Sequence, residues 1–255
     1  MSSADLLIDD TDSVRTITLN RPDAKNTLTG GMLAALVEAL GDASATDGVR
    51  LVVLTNAGTT FCAGADLTSS RPGVSGLNEA GIALSDVFTA ITGSAVPVIG
   101  KIDGHAVGGG VGLVAACDLS YMRADAKIGF TEVRLGVAPA VISVVCLPKL
   151  NRADAMETFL TGERFSPARA ADMGLINGAV EADDLDDHVQ GVIDKIMLGG
   201  PLAIQAAKNI INTVPALDEA IAYDAMTSLS QSLFDSEEAQ AGIEAFRERR
   251  PAPWA

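Results

Sequence analysis

The sequence predicts an α/β fold, because segments with the pattern of strands alternate with segments that have the spacing of helices. Val14–Asn20 alternates apolar residues with Thr and Arg, as a half-buried strand does. Leu51–Thr55 is continuously apolar, which is typical of a strand buried on both faces. Further strand-like segments lie at Val96–Ile102, Leu119–Met122 and Ile128–Phe130. This rhythm indicates strands joined by right-handed helical crossovers.

Helices are predicted between these strands by the spacing of apolar residues and by capping residues. Apolar side chains recur every three or four residues over Leu28–Leu40 and again over Leu84–Ile91. Ser166 followed by Pro167 is typical of a helix start, and Gly174 is typical of a helix end. These helices complete the alternation with the strands.

The last quarter of the chain differs from the rest, because strand-like segments end before residue 199. Three amphipathic helices are predicted there, at Pro201–Asn212, Leu217–Phe234 and Ser236–Arg249. Such a tail cannot bury its apolar stripes alone, so we expect it to pack on its own core or on a neighbouring subunit. The sequence thus predicts a core region over residues 1–198 and a helical region over residues 199–255.

The composition is typical of a protein with a sizeable core and excludes several classes of partner. The chain has 255 residues and is 48% hydrophobic but only 4% aromatic, so its core consists mainly of Ala, Val, Leu and Ile. A net charge of -15 disfavours binding to nucleic acid or to an anionic membrane. The sequence shows no apolar run long enough to span a bilayer and no pattern of a signal peptide, so we expect a cytoplasmic protein.

The three cysteines, Cys62, Cys117 and Cys146, are widely spaced and odd in number. They have no metal-binding spacing, so we expect no metal site and no disulfide framework. Cys62 could act as a nucleophile only with His105 as its base. A small apolar filler is the better interpretation of Cys62.

Two glycine-rich turns are the strongest functional signal in the chain. Gly108–Gly112 contains four glycines at the start of an apolar helix, although a glycine inside a helix costs ~1 kcal/mol relative to alanine. The other turn, Phe61–Leu67, follows the strand-like segment Leu51–Thr55. Each turn could aim a bare backbone N–H at one ligand oxygen, and together they would form an oxyanion hole. The alternative is that both are tight strand-to-helix connections.

Familiar nucleotide-binding motifs do not explain these glycines. A dinucleotide fingerprint starting at Gly108 fails, because Leu113 stands where its last glycine should be. A phosphate loop needs a lysine after its second glycine, and neither turn supplies one.

Five parts of the chain carry a family resemblance, in order and over essentially its whole length: Asn20–Asn26, Phe61–Leu67, Gly104–Gly110 with Ala116–Asp118, Phe130–Gly136 and Ala241–Pro251. They resemble the crotonase, or enoyl-CoA hydratase/isomerase, superfamily. The resemblance implies a spiral of ββα units with a C-terminal helical region that builds trimers or dimers of trimers. It also implies a coenzyme A thioester as the substrate, with no prosthetic group.

The resemblance assigns roles to individual residues. The oxyanion hole corresponds to the backbone N–H groups of Ala65 and Gly109. These donors would stabilise the negative charge that a thioester oxygen gains as the neighbouring carbon becomes enolate-like. The nucleotide of coenzyme A is expected near a set of residues before and within the first turn: Ala24, Lys25, Ala63, Asp66 and Leu67.

Few cations are available to offset the phosphate charge of such a ligand. Arg21 and Lys25 are candidates by position, and ordinary surface charge is the alternative for both. Lys208, Arg247 and Arg249 lie in the helical tail and are weaker candidates, which would reach the ligand of a neighbouring subunit.

The acid–base residues show one departure from the family pattern. Family hydratases use two glutamates, and the second corresponds to Glu132. Its neighbours are mostly apolar, so burial would raise its pKa towards the range useful for proton transfer. The first glutamate corresponds to Gly112, so that carboxylate is absent here.

The missing carboxylate leaves the reaction open between two chemistries. Family isomerases resemble this pattern, because one glutamate performs both proton transfers in them. A set of family hydratases, among them bacterial-type 3-methylglutaconyl-CoA hydratases, resembles the chain at Gly110–Val114 and at Thr131–Gly136 as well. We expect hydration of a 2-enoyl-CoA, with a branched acyl group as one option, and keep the isomerase as the alternative. A third hypothesis is a thioester-binding protein without turnover.

Overall fold

The computed structural model describes residues 5–66 and 81–255, and within them the chain forms nine strands and ten α-helices. The strands are β1 Leu6–Thr11, β2 Val14–Leu19, β3 Leu51–Asn56, β4 Thr60–Cys62, β5 Val98–Ile102, β6 His105–Val107, β7 Leu119–Arg123, β8 Ile128–Gly129 and β9 Gly178–Val180. The helices are α1 Gly30–Ala45, α2 Leu84–Thr92, α3 Gly109–Ala116, α4 Ala140–Cys146, α5 Arg152–Thr161, α6 Pro167–Asp172, α7 Leu185–Met197, α8 Pro201–Thr213, α9 Glu219–Phe234 and α10 Glu237–Glu248.

The strands form two sheets that take alternate strands from the chain. The larger sheet has the order β1-β2-β3-β5-β7-β9, and the smaller has the order β4-β6-β8. All pairings are parallel except the β1–β2 hairpin. Each of the pairs β3–β4, β5–β6 and β7–β8 therefore contributes its first strand to the large sheet and its second to the small one. Because α2 follows β4 and α3 follows β6, the chain winds as repeated ββα units, and the predicted fold class is confirmed.

The core occupies both faces of the large sheet. All six residues of β3 are buried, which explains why this strand reads as a continuous apolar run. One face packs against α1, α2 and α3 together with the small sheet. On the other face, Leu51, Val53 and Ile99 pack against three residues of one stripe of α7, namely Leu185, Val189 and Ile193.

Most predicted elements are confirmed, and the strands that sequence patterns missed are either exposed or very short. Ser166 accepts a hydrogen bond from the Arg169 N–H and caps α6, with Pro167 in the first helical position. Strand β1 carries no apolar alternation, because it is an edge strand whose last five residues are exposed. Strands β4, β6 and β9 have three residues each, which is too short for a period of two to appear, whereas the predicted strand at Ile128–Phe130 is confirmed as β8.

Hydrogen bonds and ion pairs attach the helical tail to the core, among them those of Lys208 and Arg50. The Lys208 Nζ in α8 forms a buried ion pair with Asp118, at 2.8 Å. The Arg50 guanidinium donates to the carbonyls of Met197, Gly199 and Trp254, at distances of 3.1, 2.7 and 2.8 Å. By contrast, α9 contains no buried residue. Among the described residues, no helix combines the length and hydropathy needed to cross a bilayer.

Candidate active site

The two glycine-rich turns lie against each other. Gly64 has a φ of +86°, which glycine adopts without strain. A Cβ at Gly64 would lie 3.2 Å from the Gly109 nitrogen and 3.7 Å from the Gly108 Cα. Only a residue without a side chain allows this approach, so glycine at position 64 brings the first turn onto the start of α3.

Hydrogen bonds with a neighbouring segment fix the direction of the Ala65 N–H. Leu28 pairs with Ala65 in a short parallel bridge. In this bridge the Leu28 N–H donates to the Gly64 carbonyl at 2.8 Å, and the Asp66 N–H donates to the Leu28 carbonyl at 3.3 Å. Successive N–H groups of an extended chain point to opposite sides, so the Ala65 N–H points away from Leu28. It forms no backbone hydrogen bond within the described part of the chain.

The Gly109 N–H is a second donor without a helical acceptor. Gly108 precedes α3 with φ +56° and ψ -126°, a conformation open essentially to glycine alone. Gly109 is the first helical residue, and N–H groups in the first turn of a helix have no carbonyl four residues before them. Among the residues described, no carbonyl accepts from the Gly109 N–H. The positive end of the α3 dipole adds to the attraction of this position for negative charge.

Glu132 lies beside the same turn. Its carboxylate oxygen Oε1 is 3.6 Å from the place where a Gly108 Cβ would stand, and the Gly64 Cα is 3.9 Å from that place. The other carboxylate oxygen, Oε2, is buried and has no hydrogen-bond partner among the residues that the structure describes. Burial raises the pKa of the Glu132 carboxyl above its usual 4.5. A buried carboxylate oxygen without a partner is costly, and such groups are concentrated at functional sites.

The position of the missing glutamate is filled by apolar side chains. A Cβ at Gly112 would overlap the Cζ of Phe88 and would lie 2.7 Å from the Cγ2 of Ile142. Phe88 and Ile142 are 4% and 3% exposed. The second carboxylate is therefore absent from the sequence, and its space is also occupied. Sequence patterns identified Phe88 only as a core residue of a helix, because the spacing of apolar residues does not show which part of the protein each of them packs against.

The structure brings together part of the predicted coenzyme A site. The Ala63 N–H donates to the Lys25 carbonyl at 3.0 Å, so the loop that contains Ala24 and Lys25 lies directly beside the first turn. The Lys25 side chain is exposed, whereas Ala24, Ala63 and Asp66 are partly exposed. The predicted residue Leu67 lies outside the described residues.

Other proposed cations have different places. The Lys208 side chain is buried, and besides Asp118 its Nζ contacts the carbonyls of Ile91 and Val96, so the expectation that it reaches a neighbour's ligand is wrong. The Arg21 guanidinium donates to the Thr27 carbonyl at 2.8 Å and lies 3.6 Å from the Asp5 carboxylate.

The remaining candidates divide into exposed cations and one buried thiol. Arg247 and Arg249 are exposed near the end of α10, and their reach towards a neighbour's ligand stays a prediction. Burial raises the pKa of the Cys62 thiol to about 12, which suits an apolar filler and not a nucleophile.

Comparison with known proteins decides the family. The sequence profile of the enoyl-CoA hydratase/isomerase family matches residues 9–255. The chain belongs to this family. It is an enzyme of the crotonase superfamily, and the ligand class of the family is a coenzyme A thioester. The sequence is 33% identical over 238 residues to the (E)-benzylidenesuccinyl-CoA hydratase of Thauera aromatica, covering 92% of each chain.

Further relatives of this crotonase-superfamily chain agree with that assignment. Enoyl-CoA hydratase EchA19 of Mycobacterium tuberculosis is 30% identical over 255 residues, covering 98% of this chain and 96% of its own length. The crystal structure of an enoyl-CoA hydratase from Mycobacterium smegmatis superposes with a TM-score of 0.92 at 32% identity, covering 99% of both chains.

Proposed function

We propose that this crotonase-superfamily enzyme is a hydratase that adds water to the double bond of a 2-enoyl-CoA thioester. The observation that carries the proposal is the Glu132 carboxylate, which is partly buried, lies where the two glycine-rich turns meet, and has an oxygen without a hydrogen-bond partner among the described residues. In this proposal the N–H groups of Ala65 and Gly109 donate to the thioester oxygen. Glu132 is the acid–base side chain.

The proposed reaction needs one carboxylate acting twice. Glu132 takes a proton from a water molecule as the water oxygen bonds to Cβ, and the electrons of the double bond move to the thioester oxygen. The two N–H donors stabilise the resulting enolate. Glu132 then returns the proton to Cα, and the carbonyl forms again. Because one group delivers both fragments of water, they add to the same face of the double bond.

The raised pKa of Glu132 supports its role as the base. A carboxylate whose conjugate acid has a raised pKa takes a proton from water more readily than an ordinary glutamate does. The name of the T. aromatica relative, which is a hydratase, supports the same reaction class.

A second candidate is an isomerase that moves a double bond from Cβ–Cγ to Cα–Cβ. The observation in its favour is the packing of Phe88 and Ile142 on Gly112, because no second carboxylate is there to help hold a water molecule. In that reaction Glu132 would take a proton from Cα and return it to Cγ through the same stabilised enolate.

A panel of thioesters separates these candidates. The protein is incubated with straight-chain and branched 2-enoyl-CoA and 3-enoyl-CoA thioesters, and the products are analysed by mass spectrometry. Hydration adds the mass of one water to a 2-enoyl substrate. Consumption of 3-enoyl substrates alone, without a hydroxyacyl product, contradicts the hydratase and supports the isomerase. Thioester binding without any product contradicts both and supports the non-catalytic alternative.

We also propose that the helical tail forms a trimer, alone or stacked in pairs. The exposed apolar residues of the tail support contact with other subunits, since a helix without buried residues is not stable alone in water. They include four large side chains: Ile221, Tyr223, Phe234 and Phe246. Light scattering of the eluted protein measures the mass, and a monomer at micromolar concentration contradicts this proposal.

A further inference from the structure

A buried asparagine beside the first turn has no role in the proposed chemistry. Asn26 is fully buried and has a φ of +50°, and the preceding Lys25 has a φ of +52°. Among residues with a side chain, asparagine tolerates this left-handed conformation best. The chain therefore turns sharply at this point, just before it runs alongside the first turn at Leu28.

The Asn26 amide joins three parts of the backbone. Its Oδ1 accepts from the Arg21 N–H at 2.7 Å. Its Nδ2 donates to the Ala57 carbonyl at 3.1 Å and to the Thr60 carbonyl at 2.7 Å. Ala57 and Thr60 are the two ends of the connection between β3 and β4. One side chain thus attaches the loop that contains Lys25 to the start of β4.

Strand β4 continues into the first turn, where the same loop forms three more hydrogen bonds. These are the bond from the Ala63 N–H to the Lys25 carbonyl and the two bonds of the bridge at Leu28 described above. Since that bridge sets the direction of the Ala65 N–H, any shift of the loop relative to β4 turns this donor. Asn26 is the only side chain among the described residues that hydrogen-bonds both the loop and the β3–β4 connection.

We propose that Asn26 is a positioning residue that aims the Ala65 N–H at the thioester oxygen. The inference rests on the proposed oxyanion hole. Loss of the Asn26 amide is then expected to weaken stabilisation of the transition state more than it weakens the fold. The reason is that a donor must be placed to within a fraction of an ångström to stabilise developing charge.

The test compares Asn26 with an asparagine of matched chemistry. Asn56 is also buried and forms three side-chain hydrogen bonds to backbone, to the Gly58 carbonyl and to the N–H and carbonyl of Asp103, and none of the three goes to the loop. Asn26→Gly keeps the left-handed backbone and removes only the amide. Asn26→Asp is nearly isosteric and turns the two donated bonds into repulsive contacts. Asn56→Ala is the control for the loss of three buried hydrogen bonds.

Two measurements are made below the melting temperature of every variant. The first is kcat for the 2-enoyl-CoA substrate, which we expect to fall at least ~10-fold in Asn26→Gly and Asn26→Asp and to change less than ~3-fold in Asn56→Ala. The second is the carbonyl stretching frequency of bound butyryl-CoA labelled with ¹³C at its carbonyl carbon. We expect a lowered frequency in the wild type and in Asn56→Ala, and a return towards the free value in the Asn26 variants.

The outcomes distinguish this inference from the proposed function. Equal losses of kcat in the Asn26 and Asn56 variants, or an unchanged carbonyl frequency in both Asn26 variants, overturn the role of Asn26 and leave the oxyanion hole in place. A wild-type protein that leaves the bound carbonyl at its free frequency contradicts the proposed function itself, and with it the positioning role. The spectrum is measured with a saturated thioester, which has no double bond to hydrate, so the result does not depend on turnover.

Discussion

Gly109 and Gly112 lie one turn apart on the same side of α3, and their surroundings differ. Beside Gly109, the side-chain ends of Leu84 and Leu28 approach to 3.2 and 3.3 Å of a Cβ position, and no described residue accepts from the N–H. Beside Gly112, Phe88 and Ile142 occupy the space of any side chain. Glycine at position 109 thus leaves a backbone donor accessible, whereas glycine at position 112 allows close packing of side chains against the helix.

The comparison predicts first that acid–base chemistry takes place only on the Gly109 side. Glu132→Gln removes the one carboxylate that the described residues place there, so we expect kcat to fall ~10²–10⁴-fold. Binding of a saturated acyl-CoA should change little, because Gln keeps the shape of the side chain. Steady-state kinetics and calorimetric titration measure the two effects. A variant that keeps its rate would show that another group moves the proton.

The donor at Gly109 can be removed without removing the helix. Proline suits the first helical position, and Gly109→Pro deletes the N–H, so we expect a loss of ~10²–10³-fold in kcat. Gly109→Ala keeps the N–H and requires only a slight movement of the ends of two leucine side chains. We therefore expect a much smaller decrease in kcat for this variant. If alanine and proline reduce kcat equally, the shape of the turn and not the donor is responsible.

At Gly112 the expected effect is on stability. Gly112→Ala forces a methyl group against Phe88, which we expect to destabilise the fold by ~1–3 kcal/mol. Gly191 in α7 has open space at its Cβ position, so Gly191→Ala should stabilise by ~0.5–1 kcal/mol through helix propensity. Urea unfolding monitored by circular dichroism measures both. Stabilisation by both substitutions would mean that Phe88 moves away without cost.

The smallest effect expected is a pH dependence of stability caused by Glu132. Its pKa is raised in the folded protein, so above the unfolded value the folded state holds a proton that the unfolded state has released. This contribution to stability therefore falls as pH rises from the unfolded pKa through the folded pKa. Relative to the wild type, Glu132→Gln should gain stability over that window and keep the gain above it. Urea titrations at several pH values check this, and a difference independent of pH would contradict it.

Sequence patterns predicted the alternation of strands and helices, several of the longer elements and the all-helical tail. They did so because burial on one or both faces imposes a pattern on the chain, as in the fully buried β3. They did not predict β1, whose exposed position at the edge of the sheet removes that period. They also placed Lys208 near a neighbour's ligand, since nothing local in the sequence shows that Asp118 lies opposite it.

For the candidate site, the sequence by itself determined which groups are present: two small residues whose N–H groups can approach a ligand, one glutamate in an apolar segment, and no glutamate at position 112. The catalytic roles of Ala65, Gly109 and Glu132 stay predictions. Only the tertiary structure decided that Gly64 touches the start of α3 and that Phe88 and Ile142 fill the space at Gly112. It also decided that Asn26 joins the loop to β4. These contacts join residues far apart in the chain, so they depend on how whole elements pack and leave no local pattern.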